Sequence, residues 1–203
     1  MKVGHILYKV NNLEDAVIKF REQGFKVEYG SKSSPHNALI YFSEGPYIEL
    51  LGKAPVPFYI SLILRLSRRG KVVDRFNHWK NVEEGFFAMC LESSETNFNA
   101  EEDILINHRQ PYFITESSRT DPLNRLLKWT LLFPYELKLP FLMTRFNINP
   151  RPKALVHPNG VKGIKSITFG TDQGLIPIIR ELCDDKILEL RVGTGVNEVT
   201  YDT

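Results

Sequence analysis

The chain has 203 residues, 42% of them apolar and 25% charged, which are the proportions of a folded globular protein. A formal net charge of +2 is too balanced to mark a nucleic-acid binder by electrostatics, and the longest apolar run, PFYISLIL at 57–64, is too short to span a bilayer. Cys90 and Cys183 have no CxxC partner and read as small buried hydrophobes in a reducing compartment. The chain starts directly in strand-like sequence without a signal-peptide pattern, so the expectation is a cytoplasmic protein without membrane or nucleic-acid partners.

GHILYKV (4–10) alternates as a strand, with His5, Leu7 and Lys9 on one face and Ile6, Tyr8 and Val10 on the other. Asn12 is the predicted N-cap of a helix over LEDAVIKFREQ, with Glu14 and Asp15 in its first turn. Leu13, Ala16, Val17 and Phe20 form its apolar stripe and Gly24 its C-terminal stop. FKVEYG (25–30) predicts a second strand, and HNALIYF and PYIELLG predict two more joined by the turn SEG. Residues 1–52 therefore spell β-α-β-β-β. Residues 53–83 read as a linker rich in aliphatics and arginine, with one helix over 58–68. Its basic stretch LRLSRRGK (64–71) lacks interleaved aromatics and reads as a solvated turn or helix end.

The pattern then returns. GFFAMCL (85–91) predicts a strand behind a glycine, and residues 97–110 a helix with Ala100, Ile104 and Leu105 inward. YFITES, RLLKWTLLF and LPFLMTRF predict three further strands. This is a second β-α-β-β-β unit at 84–146, whose Gly85 answers Gly4. A proline-containing linker, 147–160, ends in the turn HPNG. Residues 161–203 form a partial third βαββ unit: GIKSITFGT, a helix around QGLIPIIREL, KILELRV and EVTYDT. The predicted fold class is α+β, with two tandem βαβββ modules plus this partial unit.

The first module's opening GHILYKV and closing YIELLG, the later KWTLLFP and LPFL, and HPNG together resemble the glyoxalase-like family of the vicinal oxygen chelate superfamily. Bleomycin-resistance proteins and ring-cleaving dioxygenases share that superfamily. The resemblance covers roughly residues 3–172. It implies that each module's four strands curl and that two modules form a half-open, cup-shaped barrel. It also implies a divalent metal (zinc, nickel, manganese or iron) held by the first and last strands of each module, stabilising an enolate or other oxyanion as a Lewis acid. Isomerases, lyases, dioxygenases, epimerases and non-catalytic resistance proteins all use this architecture, so the fold does not fix the function.

Carried over residue by residue, His5 matches the first-strand ligand position and Glu49 the last-strand one. Alternation places Tyr47, Glu49 and Leu51 on the cup face with His5, Leu7 and Lys9. An imidazole and a carboxylate on adjacent strands suit a first-row metal. In the second module Phe86 stands where His5 stands and Thr144 where Glu49 stands, and the third unit offers Ser166. Half of the donor positions are thus lost. The expectation is one divalent metal on His5 and Glu49, or none. Without a metal, the two would be an acid–base pair or a mutually satisfied buried pair.

A hairpin turn centred on Glu44–Gly45 places His36 on the face of Glu49, about 13 Å away along the strands and at the rim. Ala38 and Ile40 then share the cup face, as do Phe86, Ala88, Cys90, Trp129, Leu131 and Thr144. This predicts a largely apolar pocket for a small organic ligand, with contacts from His36, Tyr47, Phe86, Trp129 and Thr144. His78, His108 and His157 are read as structural. Two functions stand open: a lyase, isomerase or oxygenase acting on a small oxygenated substrate, or a non-catalytic protein that binds or sequesters a small molecule. Three expectations stand open for the third unit: it caps the barrel edge, exchanges with a second subunit to make a homodimer, or is part of a longer unit.

Overall fold

The computed structural model describes residues 1–33, 35–52, 70–152 and 155–203. The first module begins with β1 (Lys2–Lys9) and α1 (Leu13–Glu22). The Asn12 side chain caps α1, accepting the backbone N–H of Glu14 at 3.0 Å and of Asp15 at 3.5 Å. Gly24, at φ +81°, takes the left-handed position that ends it. β2 (Glu28–Tyr29), β3 (Asn37–Ile40) and β4 (Tyr47–Leu51) complete the module. β4 lies parallel to β1, with α1 on the crossover between β1 and the rest.

The second module repeats this plan with β5 (Gly85–Glu92), α3 (Asn99–Asn107), β6 (Tyr112–Thr120), β7 (Leu126–Pro134) and β8 (Phe141–Met143). Within α3, Leu105 is buried and Ile104 half-buried, whereas Ala100, expected inward, is exposed and Glu101 takes the buried position. The two modules share one curled eight-stranded sheet, ordered β2-β3-β4-β1-β5-β8-β7-β6, joined by the antiparallel pair β1·β5. The result is a half-barrel.

A helix, α2 (Gly70–Asn81), precedes β5 inside the segment read as a linker. Val73, Phe76 and Trp79 recur at a spacing of three, the helical signal that reading passed over. The helix expected over 58–68, and residues 64–69 of the basic stretch, lie outside the described residues. Among the described residues no helix is long and apolar enough to cross a membrane.

The third unit, β9 (Gly163–Thr171), α4 (Ile176–Leu182), β10 (Leu188–Val192) and β11 (Gly195–Asp202), forms a separate three-stranded sheet ordered β10-β9-β11. A 3₁₀ turn, Gln173–Leu175, leads into α4, and Pro177 sits at its first turn, where no N–H is needed. The convex side of the half-barrel carries the main core. Ile6, Ile48, Leu50, Met89 and Leu142 from the sheet meet Val17 and Phe20 of α1 and Leu105 of α3 there. Ile167, Ile179, Leu182 and Val196 of the third unit belong to the same core. The N-terminal ammonium donates to the Leu182 carbonyl at 2.8 Å, and the Val3 N–H donates to Asp185 Oδ2 at 3.0 Å. A second cluster, with Leu7, Trp79, Cys90, Phe133, Phe141 and Met143, lines the concave side. Both cysteines are free and buried.

Candidate functional site

The concave side holds two adjoining spaces. An inner chamber of about 190 Å³ lies over β1, β4, β7 and β8. An outer cleft of about 860 Å³ opens beyond it between the two ends of the sheet. Leu39 and Arg119 line both.

His5 and Glu49 stand together in the chamber wall. β1 and β4 are parallel neighbours with His5 beside Tyr47 and Leu7 beside Glu49, so the two side chains are one diagonal step apart. His5 Nε2 lies 3.5 Å from Glu49 Oε2. His5 is 4% exposed, stacks on the Tyr47 ring at 4.7 Å and meets the edge of Phe141 at 5.5 Å. Burial, seconded by the charge of Arg151, pulls its pKa down to about 3, so the ring is neutral. Its Nδ1 is buried without a hydrogen-bond partner. Burial pushes Glu49 the other way, above the usual carboxylate range, against the Asn37 hydrogen bond and the charge of Arg119. Glu49 Oε1 accepts from Asn37 Nδ2 at 2.7 Å. The contact is therefore less an ion pair than two groups, both driven towards neutrality, that can share one proton.

Asn37 occupies the place the sequence reading gave to His36. The β3–β4 register pairs Leu39 with Glu49 and Asn37 with Leu51, one residue off the expected pairing of Ile40 with Glu49. A one-residue slip exchanges the faces of a strand. Asn37 and Leu39 thus line the chamber, while Ala38 and Ile40 join the convex core. His36 is exposed, outside both spaces, and contributes its carbonyl to the Gly52 N–H at 3.1 Å.

Two further expected contacts also fall elsewhere. The β1–β5 register shifts between Leu7 and Tyr8, so that Leu7 faces Ala88 and Tyr8 faces Phe86. This bulge turns Phe86 to the convex side, where it packs edge-on against Tyr8 at 4.9 Å. Thr144 is buried, but its Oγ1 accepts the Thr130 N–H at 2.9 Å and does not line the chamber. Tyr47, Trp129 and Leu131 do line it. Sequence reasoning missed Asn37, Leu39, Phe76, Trp79, Phe133 and Arg119. Phe76 and Trp79 carried a usable signal, their helical spacing. Asn37 and Leu39 depended on the hairpin register, and Arg119 on a strand that runs three residues past its expected end.

The donor set does not fit the metal site that the resemblance implies. Among the described residues no three His, Cys, Asp or Glu side chains are grouped to hold a metal ion. The second module faces His5 and Glu49 with Trp129, Leu131, Phe133, Phe141 and Met143, of which only the Met143 thioether is even a weak donor. Two protein donors fall short of the three or four of an ordinary zinc site.

A curled sheet of two βαβββ units, with a buried histidine and a half-buried glutamate on adjacent strands of its concave face, defines the class of paired-module cup proteins. The chain belongs to the glyoxalase-like domain family, whose model matches residues 3–175. Its fold is similar to that of a hypothetical protein from Staphylococcus aureus seen in a crystal structure. The TM-score is 0.65 at 17% identity, over 97% of this chain and 88% of that one. Comparison with curated proteins finds no match.

Proposed function

We propose that the cup takes a small oxygenated organic molecule into the inner chamber and that the His5–Glu49 pair moves a proton on it, as in an isomerase or lyase. The observation that carries this reading is the pair itself: a neutral imidazole 3.5 Å from a carboxyl group with a raised pKa, in an apolar chamber. A buried carboxylate is a stronger base than a solvated one, and a raised pKa makes the carboxyl group better suited to accept and return a proton. Asn37 fixes one oxygen of Glu49 and leaves the other towards His5. Trp129 and Leu131 supply apolar wall against which a planar body packs.

The second reading, capture of a small molecule without chemistry, is favoured by the apolar wall that the second module presents where a chelate would need donors. A panel of small acids, ketones, alcohols and aromatic compounds tests both readings, with binding followed by calorimetry and turnover by proton NMR in D₂O. The proton-transfer reading expects binding that Leu131→Trp blocks, and solvent deuterium entering a bound compound at a rate that Glu49→Gln lowers at least a hundredfold. Binding without exchange for every compound defeats it in favour of capture. Binding untouched by Leu131→Trp removes the chamber from either reading. Elemental analysis of untagged protein addresses the metal expectation directly. One equivalent of a divalent ion, lost in both His5→Ala and Glu49→Gln, would restore it.

A further inference from the structure

The outer cleft and the inner chamber differ sharply in character, and the boundary between them is marked by charge. Arg119 lines both spaces. Its guanidinium donates to the Gly30 carbonyl and, at 3.4 Å, to the Tyr41 hydroxyl. Arg151 lines the outer cleft, with its guanidinium 5.9 Å from the centre of the Tyr47 ring. Both are half-buried, and among the described residues neither has a carboxylate within ion-pair distance. Arg125, also on the cleft, is by contrast neutralised by Asp121 at 2.7 Å.

An aromatic column links the two spaces. Tyr41 lies against Tyr47 at 5.0 Å, and Tyr47 stacks on His5 at 4.7 Å. A molecule entering the chamber therefore passes two guanidinium groups that make no close ion pair among the described residues, and meets His5 and Glu49. A negative head would lose its solvation in the apolar chamber and is attracted by Arg119 and Arg151, which sets the direction of entry. The chamber, about 190 Å³, is matched in size by one planar ring, since an apolar cavity of about 150 Å³ accepts a benzene molecule.

From this gradient we infer that the ligand is a small amphipathic organic anion, its ring in the chamber beside Trp129 and its carboxylate or phosphoryl head on Arg119 and Arg151. This names the substrate class of the cup and rests on the cup being the binding site. The guanidinium fork recognises both oxyanions bidentately, and the Tyr41 phenol is placed to add a donor. The head group gives affinity and orientation, while the end of the ligand that meets His5 and Glu49 carries the hydroxyl or carbonyl.

Calorimetry with four matched probes tests this: phenylacetate, phenylphosphonate, phenylacetamide and benzyl alcohol, each titrated into the full chain and into Arg119→Lys, Arg151→Gln and Leu131→Trp. The inference expects one or both anions to bind at least tenfold more tightly than the amide. That advantage should fall at least fivefold in Arg151→Gln and in Arg119→Lys, which keeps the charge but loses the fork, with amide binding unchanged. The better anion identifies carboxylate or phosphoryl chemistry. Equal binding of anions and amide overturns the inference and leaves the cup reading standing, as does an anion preference that survives both arginine substitutions. If Leu131→Trp leaves all binding intact, or if no probe binds, the cup reading fails and the inference with it. Circular dichroism of each variant separates loss of the site from loss of the fold.

Discussion

His5 and Glu49 sit on parallel neighbouring strands, offset by two residues in register, and their side chains meet at 3.5 Å in the wall of an apolar chamber. Burial drives both towards their neutral forms, which makes stability depend on pH in opposite senses. For His5 the folded pKa of about 3 lies below the ordinary 6.5, so its contribution is complete above pH 6.5 and is lost as the pH falls from 6.5 towards 3. Urea midpoints of the wild type should therefore drop between pH 7 and pH 4, and His5→Phe should lose less over the same interval. The difference is on the order of a few kcal/mol. For Glu49 the folded pKa is raised, so its contribution is present below the ordinary carboxylate range and lost as the pH rises through the folded value. Glu49→Gln should gain stability relative to the wild type on going from pH 4 to pH 7. Parallel curves for variant and wild type would show that Glu49 is not held in a poorly solvating site.

His157 joins the segment after β8 to the first module. Its Nδ1 accepts the Lys26 N–H at 2.9 Å, which leaves the proton on Nε2 to donate to the Tyr41 carbonyl at 2.9 Å. The ring is 3% exposed, wedged edge-on between Phe25 and Phe42. Protonation would put a second hydrogen where Nδ1 must accept, and burial already lowers its pKa. His157→Ala strands two backbone groups and is expected to cost at least about 2 kcal/mol, measured from urea unfolding at pH 7. It should also flatten part of the acid sensitivity that His5→Phe leaves behind. A loss below about 0.5 kcal/mol would mean that water replaces both bonds.

The sequence was informative where a local pattern has only one geometric outcome. The cap at Asn12, the stop at Gly24 and the alternation of β1 put His5 and Leu7 on the concave face, and YIELL put Tyr47 and Glu49 beside them. It failed where a single residue of register decides the face. The β3–β4 hairpin sits one residue from the expected pairing, which exchanges His36, Ala38 and Ile40 for Asn37 and Leu39. A bulge opposite Leu7 and Tyr8 does the same to Phe86. Both are tertiary choices: the convex core claims Ala38, Ile40 and Phe86, and alternation alone cannot say which face that core lies on. Arg119 and Arg151 come from segments far apart in sequence, and no local pattern announces that their guanidinium groups share a cleft.

Arg75 of α2 anchors the turn between β7 and β8. It is 2% exposed, and its guanidinium donates to the carbonyls of Glu136 at 2.6 Å, Pro134 at 2.8 Å and Leu139 at 3.1 Å. Burial lowers its pKa to about 10, so it remains charged at neutral pH. That turn connects the strands that carry Phe133 and Phe141 into the chamber. Arg75→Met should cost about 2–4 kcal/mol by leaving several carbonyls without donors. Arg75→Lys, a point donor in place of a fork, should recover less than half of that. Chemical denaturation of the three proteins measures both steps. Full recovery by lysine would assign the effect to charge rather than to the spread of the donors.

Ile179 of α4 is fully buried in the core that the third unit shares with both modules. The two tryptophans of the chain, Trp79 and Trp129, lie instead in the cup, on the far side of the sheet. This separation makes tryptophan fluorescence a remote reporter. If the third unit folds as part of one cooperative body, Ile179→Ala should destabilise the cup by the full cost of the cavity, about 2–5 kcal/mol. The fluorescence transition should then shift together with the far-ultraviolet dichroism. The ties from the N-terminal ammonium to Leu182 and from Val3 to Asp185 argue for one body, because the start of β1 holds the third unit only two residues before His5. A fluorescence transition that stays in place while the dichroism shifts would instead make 161–203 a separately melting unit.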